Sequence, residues 1–219
     1  MNIRLHESEV RVLGALVEKE LTTPEYYPLT LNSLTTACNQ KSNRDPVMSL
    51  SERQVESAIE NLRSRQMVWR RNIAGSRVPK YEHNVYALWH LSPQEIAVLC
   101  VLMLRGPQTL GEIRGRTGRM YAFKDTEEVN GTVTALIKHE QGPFVVELPR
   151  LPGRKENRFM HLLAGEPAIE EVPEDREPVS AAVDTGGERV AALEDRVLHI
   201  RPELDDLKRA FGEFKGRLV

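Results

Sequence analysis

The chain has 219 residues, 40% hydrophobic and 28% charged, with a formal charge of -2, the balance of a globular protein rather than a disordered one. Its longest apolar run, Ile96 to Leu104, is nine residues, about half of the ~20 that a membrane-spanning helix needs. The near-neutral total joins two unlike parts, +4 over residues 1–165 and -6 over residues 166–219, so the sum does not exclude a basic surface on the first part.

Taken from the N-terminus, Met1 to Glu7 (MNIRLHE) places charges where a signal peptide would have its apolar segment, and a cytoplasmic protein is expected. A first helix follows, with Glu9, Val10, Val12, Leu13 and Leu16 in helical spacing. Thr23-Pro24-Glu25-Tyr26-Tyr27-Pro28 reads as a packed turn rather than a catalytic site. Thr30, Leu31 and Leu34 open a short second helix. The polar loop Asn39 to Pro46, with Lys41 and Arg44, has two readings. It is either part of a groove-facing surface or a loop held by its own side-chain to backbone hydrogen bonds.

A third helix begins at Ser51, which with Gln54 forms a capping box, and buries Val55, Ile59 and Leu62. Its outer face carries Arg53, Gln54, Ser57 and Asn61, residue types that read guanine and adenine edges or bond phosphates. Glu52, Glu56 and Glu60 run along the same helix as an acidic ridge that would repel phosphates. Two β-prone segments come next, Met67 to Arg71 and Val85 to Trp89. Between residues 61 and 81 stand Arg63, Arg65, Arg70, Arg71, Arg77 and Lys80 without an acid, a stretch suited to phosphate contact.

The pattern then repeats. Glu95, Ile96, Val98, Leu99 and Leu102 match the first stripe at an offset of 86, behind a capping box of Ser92 and Glu95 with Pro93 at the first helical position. Thr109, Leu110 and Ile113 match the second helix at an offset of 79, with Thr109 and Glu112 as another box, and Val129, Val133 and Leu136 match the third at 74. Arg105, Arg114, Arg116, Arg119 and Lys124 stand against Glu112 alone, whereas Asp125, Glu127 and Glu128 open the third helix of this copy. Its β-prone pair is Phe144 to Leu148 and Arg158 to Leu163, with Arg150, Arg154, Lys155 and Arg158 along the hairpin.

Residues 166–187 are rich in Glu and Pro and read as a linker. Beyond them Val190, Leu193, Val197, Ile200, Leu204, Leu207, Phe211, Phe214 and Leu218 keep 3,4 spacing, the pattern of a coiled coil and hence of a homodimer. Pro202 falls on the outer face of that stripe and predicts a kink.

Three helices and a hairpin with a basic loop, twice over, predict a mainly α fold with small β-hairpins (α+β). The expected parts are winged-helix domains at 1–90 and 91–165, a linker at 166–187 and an amphipathic tail at 188–219. Cys38 and Cys100 lie in apolar patterns with no metal or redox spacing, and the six histidines are scattered. No nucleophile motif or carboxylate cluster is visible, so neither cofactor, metal nor catalysis is expected.

The strings Thr23 to Asn32 (TPEYYPLTLN), Ala37 to Ser51 (ACNQKSNRDPVMSLS), Gly75 to His83 (GSRVPKYEH) and Leu104 to Thr109 (LRGPQT) together resemble the bacterial YceH family. The resemblance extends over about residues 5–165 and is looser in the tail. It implies a tandem winged-helix fold and supplies no catalytic residue, cofactor or activity. The expected function is DNA binding, as a transcriptional regulator or chromosome-associated factor. The alternative is a scaffold whose winged helices bind proteins.

Overall fold

The structure, a computed structural model, describes residues 4–72, 77–150, 153 and 156–166. The first helix, α1 (Glu7–Thr22), begins on a capping box that the sequence reading missed: the His6 side chain accepts from Ser8 N–H, and Glu9 Oε2 accepts from His6 N–H at 3.0 Å. A 3-10 turn (Pro24–Tyr26) leads into a two-residue strand, β1 (Leu29–Thr30), and then α2 (Leu31–Cys38), capped by Thr30. α3 (Glu52–Ser64) starts on the Ser51–Gln54 box and buries Val55, Ala58, Ile59 and Leu62. β2 (Val68–Arg71) and β3 (Lys80–His83) form an antiparallel hairpin, and a short helix, α4 (Val85–Trp89), closes the first repeat.

The second repeat has α5 (Pro93–Arg105), α6 (Leu110–Thr117), α7 (Thr126–Ile137), β4 (Val145–Leu148) and β5 (Arg158–His161). The Ser92–Glu95 and Thr109–Glu112 boxes both form, and Asp125 caps α7 by accepting from Glu128 N–H. Duplication reaches the level of strand register. In the first sheet, ordered β1-β3-β2, Leu29 pairs with Tyr81 and Val68 with His83; in the second, Gln108 pairs with Phe159 and Val145 with His161. Tyr81, His83, Phe159 and His161 are all buried.

One element differs from the sequence expectation. Val85 to Trp89 is helical, and the second strand of the first hairpin is Lys80–His83. β-branched and aromatic composition suggested a strand at 85–89. Yet Val85 and Trp89, four residues apart, are the two buried positions and share one face of a helical turn, which His90 ends in a left-handed conformation at φ 51°. Alternating burial occurs instead at 80–83, where Tyr81 and His83 face inward. The predicted linker and heptad tail, with Pro202, lie outside the described residues.

The two repeats share one core. α1 lies against α5, and Gly14 sits where a Cβ would come within 3.0 Å of Leu104 Cδ2 and 3.1 Å of Met103 Cβ. A glycine is what lets the two helices approach this closely. Cys100 Sγ on α5 contacts Gly14 O at 3.5 Å, and Cys38 Sγ on α2 contacts Arg11 O at 4.0 Å.

The 39–46 loop also spans the join. Asp45 N–H donates to Leu104 O at 2.9 Å, Asn43 bonds Arg105, and Asn39 exchanges two hydrogen bonds with the Leu50 backbone. Arg44, only 5% exposed, donates to both carboxylate oxygens of Glu18 at 3.0 and 2.6 Å and to the carbonyls of Ala37 and Asn43. Arg11, also buried, donates to the carbonyls of Cys38 and Pro46.

Candidate nucleic-acid interface

The first hairpin is built on a short alternation. Val68 and Tyr81 face the core, which leaves Trp69, Arg71, Lys80 and Glu82 on the outer side of β2 and β3, while Arg70, opposite Tyr81, leaves β2 on the inner side and is exposed. Because β2 ends the strand order β1-β3-β2, one of its edges is open among the described residues. Trp69 lies opposite Glu82 in the ladder, and Arg71 lies opposite Lys80.

Arg71 Nε donates to Glu82 Oε1 at 2.7 Å, and its guanidinium stands over the Trp69 ring, 4.9 Å from the centroid. The ion pair therefore holds the stacked guanidinium in place. Along the open edge runs a cleft of about 370 Å³ lined by Arg63, Val68, Trp69, Arg70 and Arg71. Trp69 was not among the sequence-predicted residues. An aromatic followed directly by two arginines in a β-prone segment is the signal that could have found it.

On α3 and the hairpin the structure leaves several cations available. Arg53, Arg70, Arg77 and Lys80 make no ion pair among the described residues, and the first three are exposed while Lys80 is half-buried. On α3, Ser57 and Asn61 are exposed, whereas Gln54 Oε1 is committed to the Ser51 N–H at 2.9 Å. Two of the three ridge carboxylates are engaged: Glu60 takes two 2.7 Å hydrogen bonds from Arg63, and Glu52 accepts from Asn32. Arg63 offsets the charge of Glu60 alone, since the Asn32 amide leaves that of Glu52 in place and Glu56 makes no ion pair among the described residues.

Arg44 leaves the candidate surface, since its guanidinium is spent inside the protein; a polar loop made it look solvated, and the partner that buries it is 26 residues away. Lys41 stays exposed on the same loop. Burial pushes the Glu18 carboxyl up, but the hydrogen bonds and charge of Arg44 outweigh that and hold it below the usual carboxylate range.

In the second repeat the predicted cations are more dispersed. Arg116 and Arg158 flank Glu112 at 3.4 and 3.7 Å, Arg114 donates to Lys124 O at 2.8 Å, and Arg119 and Lys124 are exposed. Arg154 and Lys155 lie outside the described residues. Asp125 and Glu128 are used in the cap of α7, where Glu128 also accepts from Lys124 N–H and Tyr121 Oη. The exposed face of α7 thus presents Thr126, Glu127, Asn130, Gly131 and Ala135.

Two further features bear on chemistry. A larger cleft of about 530 Å³ lies beside Tyr26, Thr30, Ser33 and Lys80, but its Thr30 and Ser33 hydroxyls bond each other as part of the α2 cap. Burial pushes the Cys38 thiol up to about 12 and the Cys100 thiol higher still, away from nucleophilic thiolate chemistry. Among the described residues no group of three or more His, Cys, Asp and Glu is placed to hold a metal ion, and no helix is long and apolar enough to cross a membrane.

The model of the family described as "Protein of unknown function, DUF480" matches residues 5–154. A UPF0502 protein of Geobacter sulfurreducens is 50% identical over 99% of both chains. UPF0502 protein YceH of Escherichia fergusonii is 44% identical over 97% of this chain and all of the relative. The chain belongs to the DUF480 (UPF0502) family. The DUF480 match takes in α1 through β4, and with them the Trp69–Arg71 hairpin and the Arg44 loop. It also includes Thr23 to Pro28, where Tyr27 is packed with its hydroxyl accepting from His83 N–H at 2.7 Å, while Tyr26 is 70% exposed.

Proposed function

We propose that the chain is a non-enzymatic cytoplasmic protein with tandem winged-helix domains at 1–90 and 91–165, and that it binds duplex DNA as a transcriptional regulator or chromosome-associated factor. The twofold order of three helices and a hairpin, with matching strand registers, supports the fold reading. One observation carries the function: Arg70, Arg71, Arg77 and Lys80 gather on a hairpin that follows α3 in the chain, while Arg63 and Asn32 engage two of the α3 carboxylates. In a winged helix the third helix enters the major groove and the hairpin meets the backbone.

Titration of the full chain with random-sequence duplex DNA at two salt concentrations tests the proposal. If about five phosphates are neutralised, a log–log slope of about 0.9 for each predicts a fall of several hundredfold in affinity between about 50 and 200 mM salt. The double variant Arg70→Ala, Arg77→Ala should reduce the slope by about two. Absence of binding at low salt would remove the DNA reading. A protein-binding scaffold is the second reading, favoured by the mostly uncharged outer face of α7, with Thr126, Asn130, Gly131 and Ala135 exposed.

A further inference from the structure

The geometry of the first hairpin points to a binding site for an unpaired nucleotide, such as a single-stranded tail or a frayed duplex end, with the base stacked on Trp69 and its phosphates met across the cleft by Arg70 and Arg63. The inference rests on the nucleic-acid reading above and narrows it to a class of ligand.

Three observations carry it. First, Trp69 is 41% exposed on the open-edged strand, whereas the other tryptophan, Trp89, is 1% exposed and packs against Phe144 at 5.3 Å. An indole left in water forfeits much of the stabilisation its burial would give. Second, Arg71, paired with Glu82, stands over the Trp69 ring, so a cation–π pair is in place before any ligand arrives. Third, the adjoining cleft of about 370 Å³ falls in the size range of small-ligand sites and is lined by three guanidinium-bearing side chains.

Backbone contact with a closed duplex needs only the cations, because paired bases hide their faces in the helical stack. An aromatic platform set among guanidinium groups supplies a second element, a flat apolar surface that a splayed base can cover while its phosphate is paired. Arg63 is drawn to Glu60 and Arg71 to Glu82, whereas Arg70, which leaves β2 on the opposite face from Trp69 but lines the same cleft, makes no ion pair among the described residues, so Arg70 is the first phosphate partner.

The test compares two DNA probes on the full chain, a blunt duplex and the same duplex with a short 3′ single-stranded tail, read by tryptophan emission and by affinity. Because Trp89 is shielded in the core, emission changes report Trp69. The tailed duplex is expected to quench the emission of the wild type and to leave Trp69→Phe unchanged. Trp69→Ala should weaken the tailed probe by about tenfold while altering the blunt probe little, in line with loss of one stacked base. Far-ultraviolet dichroism checks that the variants, altered at an exposed position, keep the fold. Equal binding of both probes with constant Trp69 emission overturns the inference and leaves the duplex reading in place. Absence of binding to either probe removes both.

Discussion

A guanidinium such as that of Arg44, bonded to both oxygens of Glu18 and sealed from water, is more costly to remove than its net contribution implies, because the carboxylate would stay behind without its partner. Arg44→Ala is expected to destabilise the protein by about 3–5 kcal/mol, measured by denaturant unfolding at neutral pH. A paired charge replacement that also removes the acid, Glu18→Gln with Arg44→Met, should cost less than the single change.

The folded Glu18 carboxyl is held below its ordinary value, so its contribution is present above the unfolded pKa of about 4.3 and is lost as pH falls through the lower folded value. Wild type should therefore lose stability more steeply than the double variant on acidification below about pH 4.3.

His161 obeys the same sign at a higher pH. Burial lowers its pKa to about 4, so stability is full above about pH 6.5 and falls toward pH 4, by up to about 3 kcal/mol, as the unfolded chain takes up the proton first. His161→Phe should flatten that part of the profile; an unchanged slope between pH 6.5 and 4 would refute the assignment. Its counterpart in the first repeat, His83, differs in having Glu20 Oε2 2.7 Å from Nε2. Neither the Arg44–Glu18 nor the His83–Glu20 pairing was legible from the sequence, since both depend on residues that meet only after the chain has folded.

Elements were far more legible than pair contacts. Boxes at Ser51, Ser92 and Thr109 rest on residues three apart, and the helical stripes on residues three and four apart, so local order alone specifies them. β1 escaped detection because two residues give no alternation, and α4 because five residues of strand-like composition take their conformation from where Val85 and Trp89 are buried. The close approach of α1 and α5 at Gly14 is also invisible in periodicity. Gly14→Val should force α1 from Leu104 and Met103 and cost about 1–3 kcal/mol or more, seen as a lower denaturation midpoint at an unchanged slope. Gly131→Ala, at an exposed α7 position with nothing within 4 Å of the added carbon, should instead stabilise by about 0.5–1 kcal/mol.

Across the whole molecule, a repeat in sequence need not mean two independent folding units. α1 and α5 bury their apolar faces on each other, and the 39–46 loop bonds both repeats. A fragment of residues 4–90 would expose the side of α1 that now meets Leu104 and Met103. It is expected to be much less stable than the intact chain, as thermal unfolding would show; equal melting temperatures would mean that each repeat stands alone.

Both cysteines back onto α1, Cys38 against the Arg11 carbonyl and Cys100 against the Gly14 carbonyl, one thiol from each repeat. The protein thus carries a pair of chemical clocks against α1, Cys100 at the seam between the repeats and Cys38 inside the first repeat. Alkylation under native conditions can proceed only through opening, so identical rates at the two sulfurs would record opening of the shared core in a single event, and a faster Cys100 would mean that the repeats part before the first repeat itself opens.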